Sequence, residues 1–63
     1  MGVEKLLHSP EETARMLDLS RSQTAEMIAR GEIESFKIGR LRKVPREAID
    51  AYIERQRAAA AGT

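Results

Sequence analysis

The sequence predicts a mainly α-helical domain in which three short helices carry a small two-stranded β-hairpin. Three observations predict it. Two serine capping boxes, at Ser9 and Ser20, each open a stretch of helical hydrophobic spacing. The pattern then switches to strand-like alternation between Ile33 and Val44. From Arg46 it returns to helical spacing, with Ala48, Ile49, Tyr52 and Ile53 on one apolar stripe.

Leu6 and Leu7 end the lead-in and are expected to anchor it to the core. Ser9 is a good N-cap, Pro10 suits the first helical position, and Glu12 completes the capping box. The first helix is predicted over about residues 10–17, with Thr13, Ala14, Met16 and Leu17 on one face. Asp18 and Leu19 form a short connection. Ser20 and Gln23 make the second capping box. On the second helix Thr24, Met27 and Ile28 face inward, whereas Ser22, Ala25, Glu26 and Ala29 face away. Gly31 is its natural stop. Two capped helices of about two turns each, joined by so short a link, have the spacing of a helix-turn-helix.

In the next segment Phe36 and Ile38 share a face and Lys37 points the other way. Gly39 and Arg40 read as the turn, and residues 41–44 as the return strand. Pro45 is expected to stop that strand, because it has no N–H for a ladder. Arg46 begins the third helix. Residues 58–63 include helix-forming alanines with nothing to bury and are expected to fray. With no linker and no repeat found, residues 1–63 read as one domain with a core over about 6–57. Its main buried residues should be Leu17, Leu19, Ile28, Phe36, Ile38, Val44, Ile49 and Tyr52, with Leu41 exposed near the hairpin tip.

A chain of 63 residues stabilises itself marginally and leans on disulfides, metal or a partner. It has no cysteine, and His8 is its only histidine, so neither a disulfide nor a zinc site is expected. DNA or a neighbouring copy are the candidate partners. No apolar run approaches membrane-spanning length and no secretory pattern opens the chain, so a soluble cytoplasmic protein without a membrane partner is expected. The net charge of +1 is uninformative, but its distribution is not. Between Ser35 and Arg46 there is no acid, while Lys37, Arg40, Arg42, Lys43 and Arg46 are basic. Charge alone suits a solvated hairpin as well as a polyanion-binding one. Catalysis has little to stand on. His8 sits in the lead-in to the first helix beside a capping serine, Gly39 stands alone rather than in a phosphate cradle, and Glu11 and Glu12 suit the helix dipole. No enzyme activity, cofactor or small-molecule ligand is expected.

A basic two-stranded ribbon has a clear use: it can lie in a DNA groove while its cations meet phosphates. Arg40 is at the tip, where reach is greatest, and Arg42 and Lys43 alternate behind it. The second helix offers Ser20, Arg21, Ser22 and Gln23 at its N-terminal end, the end nearest the bases in helix-turn-helix docking. Its small, polar outer face lets the backbone approach closely. Glu26 on that face repels phosphate; it can accept from a cytosine amine, sit in solvent, or bind a neighbour.

Five strings in order then carry a resemblance: Ser9-Pro10-Glu11-Glu12-Thr13-Ala14, Leu17-Asp18-Leu19-Ser20-Arg21-Ser22, Arg30-Gly31-Glu32-Ile33, Lys37-Ile38-Gly39-Arg40, and Val44-Pro45-Arg46-Glu47-Ala48-Ile49-Asp50-Ala51-Tyr52-Ile53. Together they resemble the excisionase-type winged helix-turn-helix domain of the MerR-like group, over about residues 6–54. The resemblance implies that the helix from Ser20 to Arg30 enters the major groove and that Gly39, Arg40 and Lys43 belong to the wing. It implies an architectural role: copies side by side on attachment-site DNA, bending it and steering a tyrosine integrase toward excision in a bacterial cell. Relatives of similar sequence include small transcriptional regulators of the BldC type, which is the alternative within DNA binding. An antitoxin-like protein-interaction module is the alternative outside it. The chain departs from the family at three places: Asp18 stands where the family often has Gly or Asn, Ala25 and Glu26 stand where it often has a tyrosine and a basic residue, and the family often shows an aromatic or aliphatic residue near Arg42. The chain ends at Thr63 without the dimerisation helix and effector domain of a full MerR regulator, so no effector sensing is expected.

Overall fold

Both capping boxes are made in full. Ser9 Oγ accepts the Glu12 amide at 3.0 Å, and Glu12 Oε1 accepts the Ser9 amide at 3.3 Å. Ser20 Oγ accepts the Gln23 amide at 3.0 Å, and Gln23 Oε1 accepts the Ser20 amide at 3.1 Å. They open helices α1 (Pro10–Leu17) and α2 (Arg21–Ala29). One residue further on, Thr13 and Thr24 are buried, and each hydroxyl donates to its own cap carbonyl, on Ser9 at 2.9 Å and Ser20 at 3.0 Å. The string Ser-x-x-Glu/Gln-Thr-Ala therefore opens both helices, a short internal repeat beneath the period of any repeat architecture.

The computed structural model describes residues 6–62. The first part of the lead-in and Thr63 of the tail lie outside the described residues. In chain order the remaining elements are β1 (Leu7–His8) before α1, then β2 (Phe36–Ile38), β3 (Leu41–Pro45) and α3 (Arg46–Ala61) after α2. Helix α3 takes in the alanines of the tail as far as Ala61.

Both short helices close in the same way. Asp18 adopts φ 57°, with its amide on Arg15 O at 3.2 Å and the Leu19 amide on Ala14 O at 2.9 Å. Gly31 adopts φ 79°, with its amide on Ile28 O at 3.1 Å and the Glu32 amide on Met27 O at 2.9 Å. Each is a Schellman-type reversal, made with glycine after α2 and with aspartate after α1.

The sheet has three strands in the order β1-β3-β2, all antiparallel. The predicted hairpin is β2–β3, and β1 adds a strand that the sequence does not suggest, because two residues carry no alternation. Leu7 and His8 pair with Pro45 and Val44. Strand β3 does end at Pro45, one residue later than expected, with Pro45 itself as its last residue. The Arg46 amide donates to Leu6 O at 2.9 Å, which fixes the phase of the ladder. Pro45 then falls at a non-hydrogen-bonded position, where a missing N–H costs nothing. Leu6 anchors the lead-in through this carbonyl, not through its side chain, which is exposed.

The core is Ile33, Val44, Ala48, Ile49 and Tyr52, with Leu17, Met27 and Ile28 packed against it. Ala14 is buried as well, and Leu19 is half-buried. Phe36 and Ile38, expected inside, are 43% and 52% exposed, and Met16 and Ile53 are exposed too. The hairpin register explains the first two. Phe36 pairs with Lys43 and Ile38 with Leu41. Side chains alternate along a strand, so Phe36 and Ile38 share a face with Leu41 and Lys43, whereas Val44 lies on the other. Val44 takes the core side. Its large partner is Ile33, fully buried in the loop between α2 and β2.

Candidate nucleic-acid interface

Helix α2 presents a charge-compensated outer face. The Ser20 hydroxyl and the Gln23 carboxamide oxygen are committed to the cap, so the side chains left at the N-terminal end are Arg21 and Ser22, both exposed. Arg21 Nη2 lies 3.3 Å from Glu11 Oε2, the pair spanning the first turns of α1 and α2. A hydrogen bond from its own backbone amide, and then the Arg21 guanidinium, hold the Glu11 carboxyl below its usual range. At the other end Arg30 Nη2 reaches Glu26 Oε1 at 3.1 Å, and its Nη1 reaches Glu32 Oε2 at 3.2 Å. Arg55 of α3 donates to the Glu32 carbonyl beside them. Between these ends the outer face is Ala25 and Ala29, both exposed and small. A backbone can approach another surface closely there.

The hairpin is built differently. Gly39 has φ 61° and Arg40 has no positive φ, the pattern of a two-residue type II′ turn. That turn suits the right-handed twist of the strands and puts Arg40 at the tip. Behind it Lys37 pairs with Arg42, placing both on the face that Val44 shares. Arg42 is half-buried, and its Nη1 donates to Ser35 Oγ at 2.7 Å. It lines an open cleft with Pro10, Ala25, Ile28 and Ala29, so the wing root stands directly beside the outer face of α2. Lys37 and Arg40 project beyond the helices and are exposed, and Lys43 lies on the opposite face across from Phe36.

Of the residues expected in the site, Arg42 is thus brought against α2, while Lys37, Arg40 and Lys43 are carried outward on the wing. Ser20 and Gln23 act on their own helix, and Arg21, Glu26 and Arg30 hold one another or a neighbouring acid. Among the described residues none of the four wing cations has a carboxylate partner, while Arg21 and Arg30 both do. Uncompensated positive charge is therefore concentrated on the wing. Two supporting residues escape the sequence pattern. In sequence Glu11 is only an acid matched to the helix dipole, and Ser35 only the edge of a strand; the fold alone brings them to Arg21 and Arg42. Among the described residues no helix is long and apolar enough to cross a membrane.

Comparison with known proteins adds two matches. Residues 9–57 match the family described as the helix-turn-helix domain, a span that takes in both capped helices, the wing and most of α3. A protein of Saccharopolyspora erythraea named as a probable excisionase is 51% identical over 51 residues, covering 81% of this chain and 52% of that protein. The chain thus spans about half the length of this relative. No solved structure matches this chain.

Proposed function

The chain belongs to the helix-turn-helix domain family, and from that premise we propose that it is an excisionase-like architectural DNA-binding protein. The observation that carries the reading is the wing: four cations without carboxylate partners among the described residues, rooted beside the small outer face of α2. In this reading α2 enters the major groove, where Ala25 and Ala29 allow close approach and Arg21 and Ser22 lie at the end nearest the bases. The wing lies in the neighbouring groove with Lys37, Arg40, Arg42 and Lys43 against the phosphates. The name of the relative points the same way.

A single module of this kind covers roughly 600–1,000 Å² of its own surface, and α2 supplies little base-reading chemistry. Copies side by side on the duplex make up the difference, bend the DNA, and set an integrase toward excision. A gel-shift series on duplexes with one, two and three abutting sites tests this, together with circular permutation. Affinity per site should rise with the number of sites, and mobility should vary with the position of the bend. Equal affinity per site and position-independent mobility would leave a simple monomeric binder.

A further inference from the structure

The outer face of the wing is apolar, and among the described residues nothing covers it. Ile38 and Leu41 face each other across the strands immediately behind the turn, and they are 52% and 62% exposed. Phe36, at 43%, continues the face toward the root, opposite Lys43. Leaving three large apolar side chains together in water is unfavourable, and such a patch marks a surface that something covers. The segment that carries it has no acid from Ser35 to Arg46.

Charge decides what covers it. A second copy laid face to face would set Lys43 and Arg40 against their own kind. A second copy in another orientation could bring few carboxylates, because Glu11, Glu26, Glu32, Asp50 and Glu54 each already face an arginine, which leaves Asp18, Glu34 and Glu47 among the described residues. Duplex DNA offers both components at the right scale: phosphates for the cations and the apolar edge of the base stack for Ile38 and Leu41. Leu, Ile and Phe are the side chains with which minor-groove proteins prise a base step apart.

We infer that Ile38 and Leu41 form an apolar wedge, inserted at a base step in the minor groove while Arg40 and Lys43 hold the flanking phosphates. The wing, not α2, is then the source of the bend. This rests on the DNA-binding reading above and assigns its mechanical step to two residues.

The test uses the full chain and the double variant I38S/L41S, which changes only exposed side chains and removes no charge. Circular dichroism and thermal melting of the free proteins check that both are folded. The probe is a duplex binding site carrying 2-aminopurine at successive steps, with circular permutation of the same site. The wild-type protein should brighten 2-aminopurine at one step under the wing and give a bend of roughly 20–90°. The variant should bind with an unchanged salt slope while both the bend and the fluorescence increase collapse; L41S alone should show a partial collapse. A variant that bends and unstacks the duplex as the wild type does overturns the wedge, although DNA binding stands. Wild-type self-association without DNA that the variant lacks, seen by sedimentation, also overturns it and gives the face to a second copy. Failure of the wild type to retard any duplex overturns the DNA-binding reading itself, and the wedge with it.

Discussion

Asp18 holds φ 57°, a conformation that costs an L-residue with a Cβ roughly 1–2 kcal/mol, less for aspartate because its short side chain tolerates it. D18G should therefore raise stability by up to about 0.5 kcal/mol, net of glycine's extra freedom when unfolded, read as a rise of at most a few degrees in Tm. A lower Tm would show that the aspartate side chain contributes more than its backbone costs. The core gives a sharper contrast. Ile33 is fully buried and Phe36 is 43% exposed. I33A should cost about 2–5 kcal/mol, close to the whole stability of a domain this small, whereas F36A should cost well under that and leave a cooperative denaturant transition. If F36A unfolds the protein and I33A does not, the placement of the hairpin is reversed. Val44, Ile49 and Tyr52 are legible as core because each sits on a stripe or strand with one obvious inner face. The sequence pattern also puts Phe36 in that core beside Val44, which a two-residue turn at Gly39 and Arg40 forbids: those residues fall on opposite faces. Reading the register from the turn separates them, but does not say which goes inside. Ile33 is not legible, because its burial comes from a loop that no periodicity describes.

At the scale of elements, the caps are legible to the residue because they are local: Ser9 with Glu12 and Ser20 with Gln23 need only each other and the helix start. Strand β1 is not legible, since its two residues become a strand only through pairing with Val44 and Pro45, far along the chain. The site divides along the same line. The basic run of the wing is visible as composition, but the pairing of Arg21 with Glu11 and of Arg30 with Glu26 and Glu32 depends on how the helices pack and end. This pairing predicts unequal electrostatic roles. Replacing Lys37, Arg40 and Lys43 by alanine should weaken binding to unrelated duplexes alike and flatten the dependence of log K on log salt by about one unit for each phosphate no longer neutralised. An unchanged slope in a salt titration would remove the wing from the interface. E11Q should act in the opposite direction. If α2 docks as proposed, the change frees Arg21 and removes a negative charge from the DNA-facing side, so affinity should rise by up to about fivefold, the scale of an exposed ion pair. The Glu11 carboxyl is held below its ordinary value of 4.5, so it is ionised and paired at neutral pH. Its contribution to the fold is full above that value and disappears as pH falls through the lowered one. Acidification should therefore narrow the difference between E11Q and the wild type.

The whole molecule measures 40 × 31 × 17 Å between its extremes. The middle dimension is close to the roughly 34–36 Å of one DNA turn, so copies bound one turn apart on the same side of a duplex come within reach of each other. Inserting about five base pairs between two abutting sites rotates one copy to the far side of the duplex. The gain in affinity from the second site should then vanish in the gel-shift series and return with a full-turn insertion; a gain indifferent to spacing would rule out contact between copies. The strap at the root of the wing has a consequence of another kind. The Leu6 carbonyl and the Arg46 amide are separated by 40 positions, 46 minus 6, and the bond between them closes a loop around both short helices and the hairpin. A closure of that length is entropically costly and forms late, after local helical turns. On the ribosome Leu6 waits for Arg46 to emerge, so the helix pair is born without its brace and the wing without its hinge. The brace therefore forms only once β3 has been made, and a chain stalled before β3 would carry α1 and α2 without it.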